Sequence, residues 1–220
     1  TPKQGSFYLQ DNMEYGEMIA HIGFRWDFFI QANEINSAAL QSENLANKQI
    51  FDSRSKFSPR IAFSFPVTDK AKLYFNYGHF YQLPEFQNFY RRATQASSAA
   101  GIIGNPNLDF SKTIQYELGV QYSLPLGYIL SLSGFYKDYY GLLNSISQSY
   151  GPISTDIYAN VDYGRARGLE LQVEKKVSTF FAGSVDYEYT WAFGKNSSDM
   201  ADYFARFYRQ EIPLQERPLD

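Results

Sequence analysis

The chain predicts an all-β fold, an antiparallel transmembrane β-barrel present as a segment of about eight strands. Three observations predict it. Apolar residues recur at every second position over stretches of roughly 9–13 residues, the period of a strand with one oily and one wet face. The connections between these stretches alternate between tight turns and long polar segments. No window holds the ~18 unbroken apolar residues of a membrane helix, while the stretches reach the ~9–11 residues that cross a bilayer as a tilted strand.

The elements fall into four hairpins, at about 5–30, 57–80, 112–140 and 164–193. In the first, Phe7 and Leu9 alternate with Tyr8 and Gln10, EYGE turns the chain, and Ala20, Ile22, Phe24, Trp26 and Phe28 alternate with His21, Gly23, Arg25 and Asp27. In the second, Ile61, Phe63 and Phe65 lead through a turn around VTDK to Leu73, Phe75 and Tyr77. The third sets Ile114, Tyr116, Leu118, Val120 and Tyr122 against Gln115, Glu117, Gly119 and Gln121, then turns at LPLG into Tyr128, Leu130 and Leu132. In the fourth, Leu169, Leu171 and Val173 pass through KVS to Phe181, Val185, Tyr187, Tyr189 and Trp191. Each strand has one nearly pure apolar set, so a one-residue slip would turn it inside out and register is strongly specified.

The turns inside hairpins are short. Those between hairpins, about 31–57, 81–112, 141–163 and 194 to the end, are long and polar. Loops of that length are uncommon in compact soluble domains, and transmembrane barrels carry short periplasmic turns and long extracellular loops. With the tight turns periplasmic, both ends of the chain fall on the extracellular side. That topology predicts the middle of a larger barrel, an excised or processed segment rather than a closed eight-strand barrel.

Composition narrows the function. The 220 residues carry a net charge of −3, which gives no reason to expect nucleic acid. There is no cysteine, hence no disulfide framework and no thiolate metal site. Mean hydropathy is negative, but alternating barrel strands average to neutral hydropathy, so this does not argue for solubility. The chain has 19 Tyr and 19 Phe. Tyr is poor core material because its hydroxyl needs a partner. Here it sits on the apolar face, with Tyr122 and Tyr128 flanking a turn and Tyr136, Tyr187 and Tyr189 far from theirs, as in the two aromatic girdles of a membrane barrel.

The opposite face would line the lumen and meet a plug. It carries Arg25, Arg60, Glu117, Glu170, Asp186 and Glu188, besides His21, Lys72, Asn76, Gln115 and Glu174. Mixed signs suit salt-bridge ladders or a polar plug better than a single-sign ion sieve. Arg165 and Arg167 share the lipid-facing parity well beyond their turn and are expected to snorkel at the outer interface toward anionic headgroups. Ligand contacts are expected in the long loops. HFYQLPEFQNFYRR, 79–92, sets Phe86 and Tyr90 beside Arg91 and Arg92, a composition for stacking on and hydrogen-bonding an anionic chelate or a sugar. Tyr208, in NSSDMADYFARFYRQ at 196–210, is a similar candidate. The competing reading of both segments is packing of loop on loop.

Catalytic signatures are missing from the sequence. Glu170 and Glu174 share a face, but their Cα atoms would lie ~13 Å apart along a strand, too far for one scissile bond. His21 and His79 are too few for a zinc site without carboxylates. No phosphate loop and no Ser-His-Asp arrangement appears. The reading is a non-enzyme with no cofactor and no metal site. NSS at 196–198 fits a glycosylation acceptor, a pattern common by chance.

GNPNLDFSKTIQYELGVQY, 104–122, resembles the loop-to-strand motif of the TonB-dependent outer-membrane receptor family, with DFS where Lys-Pro-Glu is usual. FSPRIAFSFPVTDKAKLYFNYGHFYQLPEF, 57–86, is similar to that family's hairpin ending in Tyr-Gly and a Pro. NVDYGRARGLELQVEKK, 160–176, resembles its Asn-x-x-x-Gly-x-x-x-Gly-Leu-Glu strand, and GSFYLQDNMEY and IGFRWDFF its earlier strands, with Trp26 for Tyr. The matches arise in order along most of the chain.

The resemblance implies the later part of a 22-stranded outer-membrane barrel, an N-terminal plug domain outside this chain, and energy coupling from the TonB complex through that plug. It further implies lipid and lipopolysaccharide as surroundings and uptake of a scarce small ligand: a siderophore-like chelate, cobalamin, glycan or peptide. A passive porin and a soluble carbohydrate-binding β-protein remain the alternative readings. Two stacked sheets burying Ile114, Leu130, Leu171 and Val185 against each other would favour the soluble one.

Overall fold

The structure is a computed structural model that describes residues 2–31, 53–91, 102–150, 153–176, 181–194 and 217–218. Eight long strands form one antiparallel meander: β1 (Lys3–Tyr15), β2 (Met18–Ile30), β3 (Arg54–Thr68), β4 (Ala71–Gln82), β5 (Ser111–Leu124), β6 (Tyr128–Tyr150), β7 (Ile153–Lys175) and β8 (Gly183–Gly194). A two-residue β9 (Arg217–Pro218) pairs with Phe193 and Gly194. The one α-helix among the described residues is the single turn α1 (Phe86–Tyr90). Each strand pairs with its sequence neighbours and, among the described residues, no pairing joins β1 to β8. Among the described residues the sheet is open, and no second sheet lies against it.

Register follows the alternation. One outward row runs Ile22, Ile61, Tyr77, Tyr116, Tyr136, Arg167, Trp191 across β2 to β8. The next outward row runs Ala20, Phe63, Phe75, Leu118, Gly134, Leu169, Tyr189. Between them, on the other face, lie His21, Ala62, Asn76, Glu117, Phe135, Gly168 and Thr190. The apolar face stays open: Leu118 is 54% exposed, Leu132 47% and Val185 72%. Large aliphatic side chains left uncovered over a whole sheet face need a non-aqueous neighbour. The stacked-sheet arrangement is absent among the described residues.

Rows climb away from the tight turns as they cross the sheet. Ile22 stands four residues from Met18, Tyr77 six from Ala71, and Tyr136 eight from Tyr128. This stagger is the shear that barrel strands need. Tyr122 and Tyr128, the latter beneath the Lys175 ammonium 4.6 Å from its ring centre, mark the tight-turn end.

The tight turns sit where expected: Gly16 (φ 62°), Asp69–Lys70 with Thr68 Oγ1 accepting from the Ala71 amide at 3.0 Å, and Pro125–Gly127. The KVS turn lies outside the described residues. The polar connection expected at 141–163 differs from expectation. β6 and β7 each run 23 residues and pair continuously from Tyr128↔Lys175 to Tyr150↔Ile153, so most of that span is a protruding hairpin. The ladder shifts register at Tyr140/Leu142, where Gly141 takes φ 63°. Beyond this bulge the apolar–polar alternation that marks the other strands is lost.

The buried core of the described residues lies at the long-loop end, on the polar side of the sheet. It comprises Phe29 at the end of β2, Phe89 of α1, and Leu108 and Phe110 ahead of β5, with Tyr81, Leu83, Tyr90, Leu143 and Tyr158 packed around it.

Candidate functional site

The site is built where the loop between β4 and β5 folds back over the polar face. After Leu83-Pro84-Glu85 the chain makes α1, whose apolar residues divide between two directions. Phe89 is 1% exposed and packs against Phe29 with the rings tilted, their centres 5.3 Å apart. Phe86 remains 46% exposed, 6.1 Å from Phe29 and 6.5 Å from Tyr90. Arg91 caps the turn with its backbone, its amide donating to Gln87 O at 2.9 Å. Its side chain is exposed, reaching the Tyr158 hydroxyl at 3.4 Å. The described loop thus carries one exposed ring, Phe86, and one exposed guanidinium, Arg91, whereas Tyr90 packs into the apolar footing with its hydroxyl buried. Arg92 and Tyr208 lie outside the described residues.

The segment 104–110 holds this loop in place. Gly104 donates its amide to Arg91 O at 2.8 Å. A Cβ there would sit 2.5 Å from the Arg91 nitrogen, so only glycine permits the approach. Asn105 accepts from the Asn107 amide at 2.8 Å, closing an Asx turn, and donates to Tyr158 O at 2.7 Å. Asn160 of β7 completes the clasp. Its Oδ1 accepts from the Asp109 amide at 2.7 Å, and its Nδ2 donates to Asp109 O at 3.0 Å and Gly141 O at 2.9 Å. From β3, Lys56 pairs with Asp109 at 2.6 Å and Arg54 donates to Pro106 O at 2.9 Å. The 104–122 and 160–176 motifs therefore meet in space. Sequence reasoning flagged both motifs but did not single out Asn105, Asn160, Lys56 or Phe89.

The polar face below carries the charged residues read from the sequence, and Asp27 on β2 and Lys137 on β6 mix the signs. Arg25 and Arg60 belong to β2 and β3, whereas Glu117, Glu170, Asp186 and Glu188 belong to β5, β7 and β8. Arg25 grips the 8%-exposed Asp27 through Nε (3.0 Å to each oxygen) and Nη2 (2.9 Å). Arg60 lies over the Phe80 ring, 4.6 Å from its centre. Glu117 accepts from Asn76 at 3.3 Å, Glu170 from Ser133 at 3.3 Å, Glu188 from Thr190 at 2.5 Å and Asp186 from Ser184 at 3.3 Å. Glu170 faces Glu188 directly across the ladder, and neither has a cationic partner among the described residues. Salt-bridge ladders across strands, one arrangement anticipated for this face, are not formed by these residues. The described residues hold no cluster of three or more potential metal ligands.

Comparison with known proteins agrees with this geometry. A family model described as TonB dependent receptor-like, beta-barrel, matches residues 1–216. No curated protein matches. Among solved structures, the chain is similar to the outer membrane transporter YddB from Escherichia coli (TM-score 0.66, 13% identity, 88% of this chain and 25% of that one). It is also similar to the siderophore receptor PirA from Pseudomonas aeruginosa (TM-score 0.59, 15% identity, 88% and 34%). A third is the ferric-catecholate import receptor Fiu from E. coli K12 (TM-score 0.59, 16% identity, 90% and 29%). The chain spans between a quarter and about a third of the length of these proteins. It belongs to the TonB-dependent receptor β-barrel family, whose members are outer-membrane proteins of Gram-negative bacteria.

Proposed function

We propose that this segment is the later part of a 22-stranded plugged barrel that binds a scarce small nutrient at its extracellular mouth and imports it with TonB-coupled energy. The observation that carries the reading is the clasped loop at the long-loop end. It presents Phe86 and Arg91 at the mouth from a base of Phe29, Phe89 and Leu108, with Tyr90 partly buried against that base. An exposed ring and an exposed guanidinium on one short loop suit a flat anionic chelate, by stacking and by charge-assisted hydrogen bonds. Similar structures include one described as a siderophore receptor and one as a ferric-catecholate import receptor, which favours an iron chelate over cobalamin, glycan or peptide.

In this reading the polar face lines the lumen and meets the plug. Glu170 opposite Glu188 is unfavourable without a cation. The acidic wall of Glu117, Glu170, Asp186 and Glu188 therefore calls for basic plug side chains, with Arg25 and Arg60 facing acidic or polar ones.

The test is growth and binding on a panel of ferric chelates with the full-length receptor. Arg91→Ala should weaken binding of the transported chelate about tenfold or more, since charge-assisted hydrogen bonds contribute ~1.5–3 kcal/mol, and Phe86→Ala should weaken it through loss of the exposed stacking ring. Unchanged binding and uptake in both variants would remove this loop from the ligand site.

A further inference from the structure

The guanidinium of Arg91 is held differently from the cations of Arg25 and Lys56. Arg25 pairs with Asp27 at 2.9 Å and Lys56 with Asp109 at 2.6 Å, so a carboxylate takes up each charge. No carboxylate pairs with Arg91 among the described residues. Its Nη1 instead donates to the Tyr158 hydroxyl at 3.4 Å. A hydroxyl is a neutral acceptor, so it steers the guanidinium without neutralising it.

Tyr158 is fixed without help from Arg91. Its ring packs against the cluster of Phe29, Phe89, Leu108 and Phe110. It stands opposite Ser145 in the β6–β7 ladder. Its amide donates to Ile103 O at 3.2 Å, and its carbonyl accepts from Asn105 Nδ2 at 2.7 Å. Arg91 is fixed in the same way only along its main chain, whose amide donates to Gln87 O at 2.9 Å and whose carbonyl accepts from Gly104 N at 2.8 Å. Beyond that, an exposed arginine side chain keeps rotamer freedom, and losing it opposes binding.

We propose that Tyr158 is a positioning residue of the ligand site: its hydroxyl takes up Nη1 of Arg91 and leaves the Nε–Nη2 edge free for a pair of anionic oxygens on the ligand. The inference rests on the chelate reading above and adds the protruding β6–β7 hairpin to that site. Neighbouring oxygens of one anionic chelate match the guanidinium fork. An edge already turned toward them gives up less rotamer freedom on binding. A 3.4 Å contact between exposed groups contributes little to folding, so its effect falls on binding. Sequence reasoning could not find the pair, because its members are 67 residues apart and 141–163 reads as loop.

The test is a double-mutant cycle on the full-length receptor in detergent: wild type, Tyr158→Phe, Arg91→Gln and the double variant. The probes are a ferric tris-catecholate, a ferric citrate and an uncharged ferric tris-hydroxamate, and the cycle is run on the one that wild type binds most tightly. Heat-modifiable migration verifies that each variant is folded. Tyr158→Phe keeps the ring in the cluster and removes the oxygen alone. The tightest probe should be one of the two anions. Tyr158→Phe should weaken its binding about fivefold in the wild-type background and less than about twofold in the Arg91→Gln background. Weakening by the same factor in both backgrounds would show that Tyr158 acts through the fold. Undiminished binding by Tyr158→Phe beside a weakened Arg91→Gln would show that the hydroxyl plays no part. Either result, or tightest binding of the uncharged hydroxamate, overturns the inference and leaves the chelate reading standing. Arg91→Gln binding as tightly as wild type, or wild type binding none of the three, overturns both.

Discussion

Asn160 does the work of three separate contacts with one side chain, and the Lys56–Asp109 pair does less than its 2.6 Å distance suggests. Asn160 satisfies a backbone donor and two backbone acceptors on segments otherwise not linked there. At ~0.5–1.5 kcal/mol net for each hydrogen bond, its loss removes about 3 kcal/mol from loop docking. Lys56 and Asp109 are 29% and 43% exposed, and a pair that open to water contributes ~0–1 kcal/mol. Asn160→Ala should therefore speed amide exchange at Leu108 and Asp109 on the order of 100-fold, and Lys56→Ala less than about fivefold, by hydrogen exchange on the reconstituted receptor. Equal effects would show that the ion pair, not the amide clasp, fixes the loop. This clasp was not legible in the sequence. Its partners are 51 residues apart, and no local rule pairs Asn160 with Asp109.

At the scale of elements, legibility follows the solvent. β2, β5 and the tight-turn half of β7 could be read at once because Phe24, Leu118 and Leu171 meet a different medium from Arg25, Glu117 and Glu170. The outer halves of β6 and β7 lose that contrast, so 141–163 reads as loop although it is paired strand. α1 escaped for another reason: five residues carry too little periodicity to announce a helix, and burial of Phe89 fixes it instead. The two faces predict opposite responses to charge. Leu132→Arg, outward beside Val120 and Leu171, should destabilise the folded barrel by roughly 2–4 kcal/mol in lipid. Ser131→Arg, one residue away on the polar face, should cost less than about 1 kcal/mol. Urea titration of the refolded full-length barrel measures both, and similar losses would contradict the assignment of faces.

For the whole molecule, the governing fact is a staggered sheet whose apolar side is left uncovered among the described residues and whose polar side carries charges of both signs. Such a sheet is stable when lipid covers one side and a polar body fills the other. Transport and plug contact both depend on that division. The chain has no cysteine, so single cysteines report position without competition. Spin labels placed in turn at Leu130, Ser131, Leu132 and Ser133 of the full-length receptor in bilayers test it most directly. The account predicts that oxygen reaches Leu130 and Leu132 from the lipid, while Ser131 and Ser133 are shielded from it. Labels at Leu130 and Leu132 shielded from both oxygen and aqueous nickel, as in a packed protein core, would contradict it.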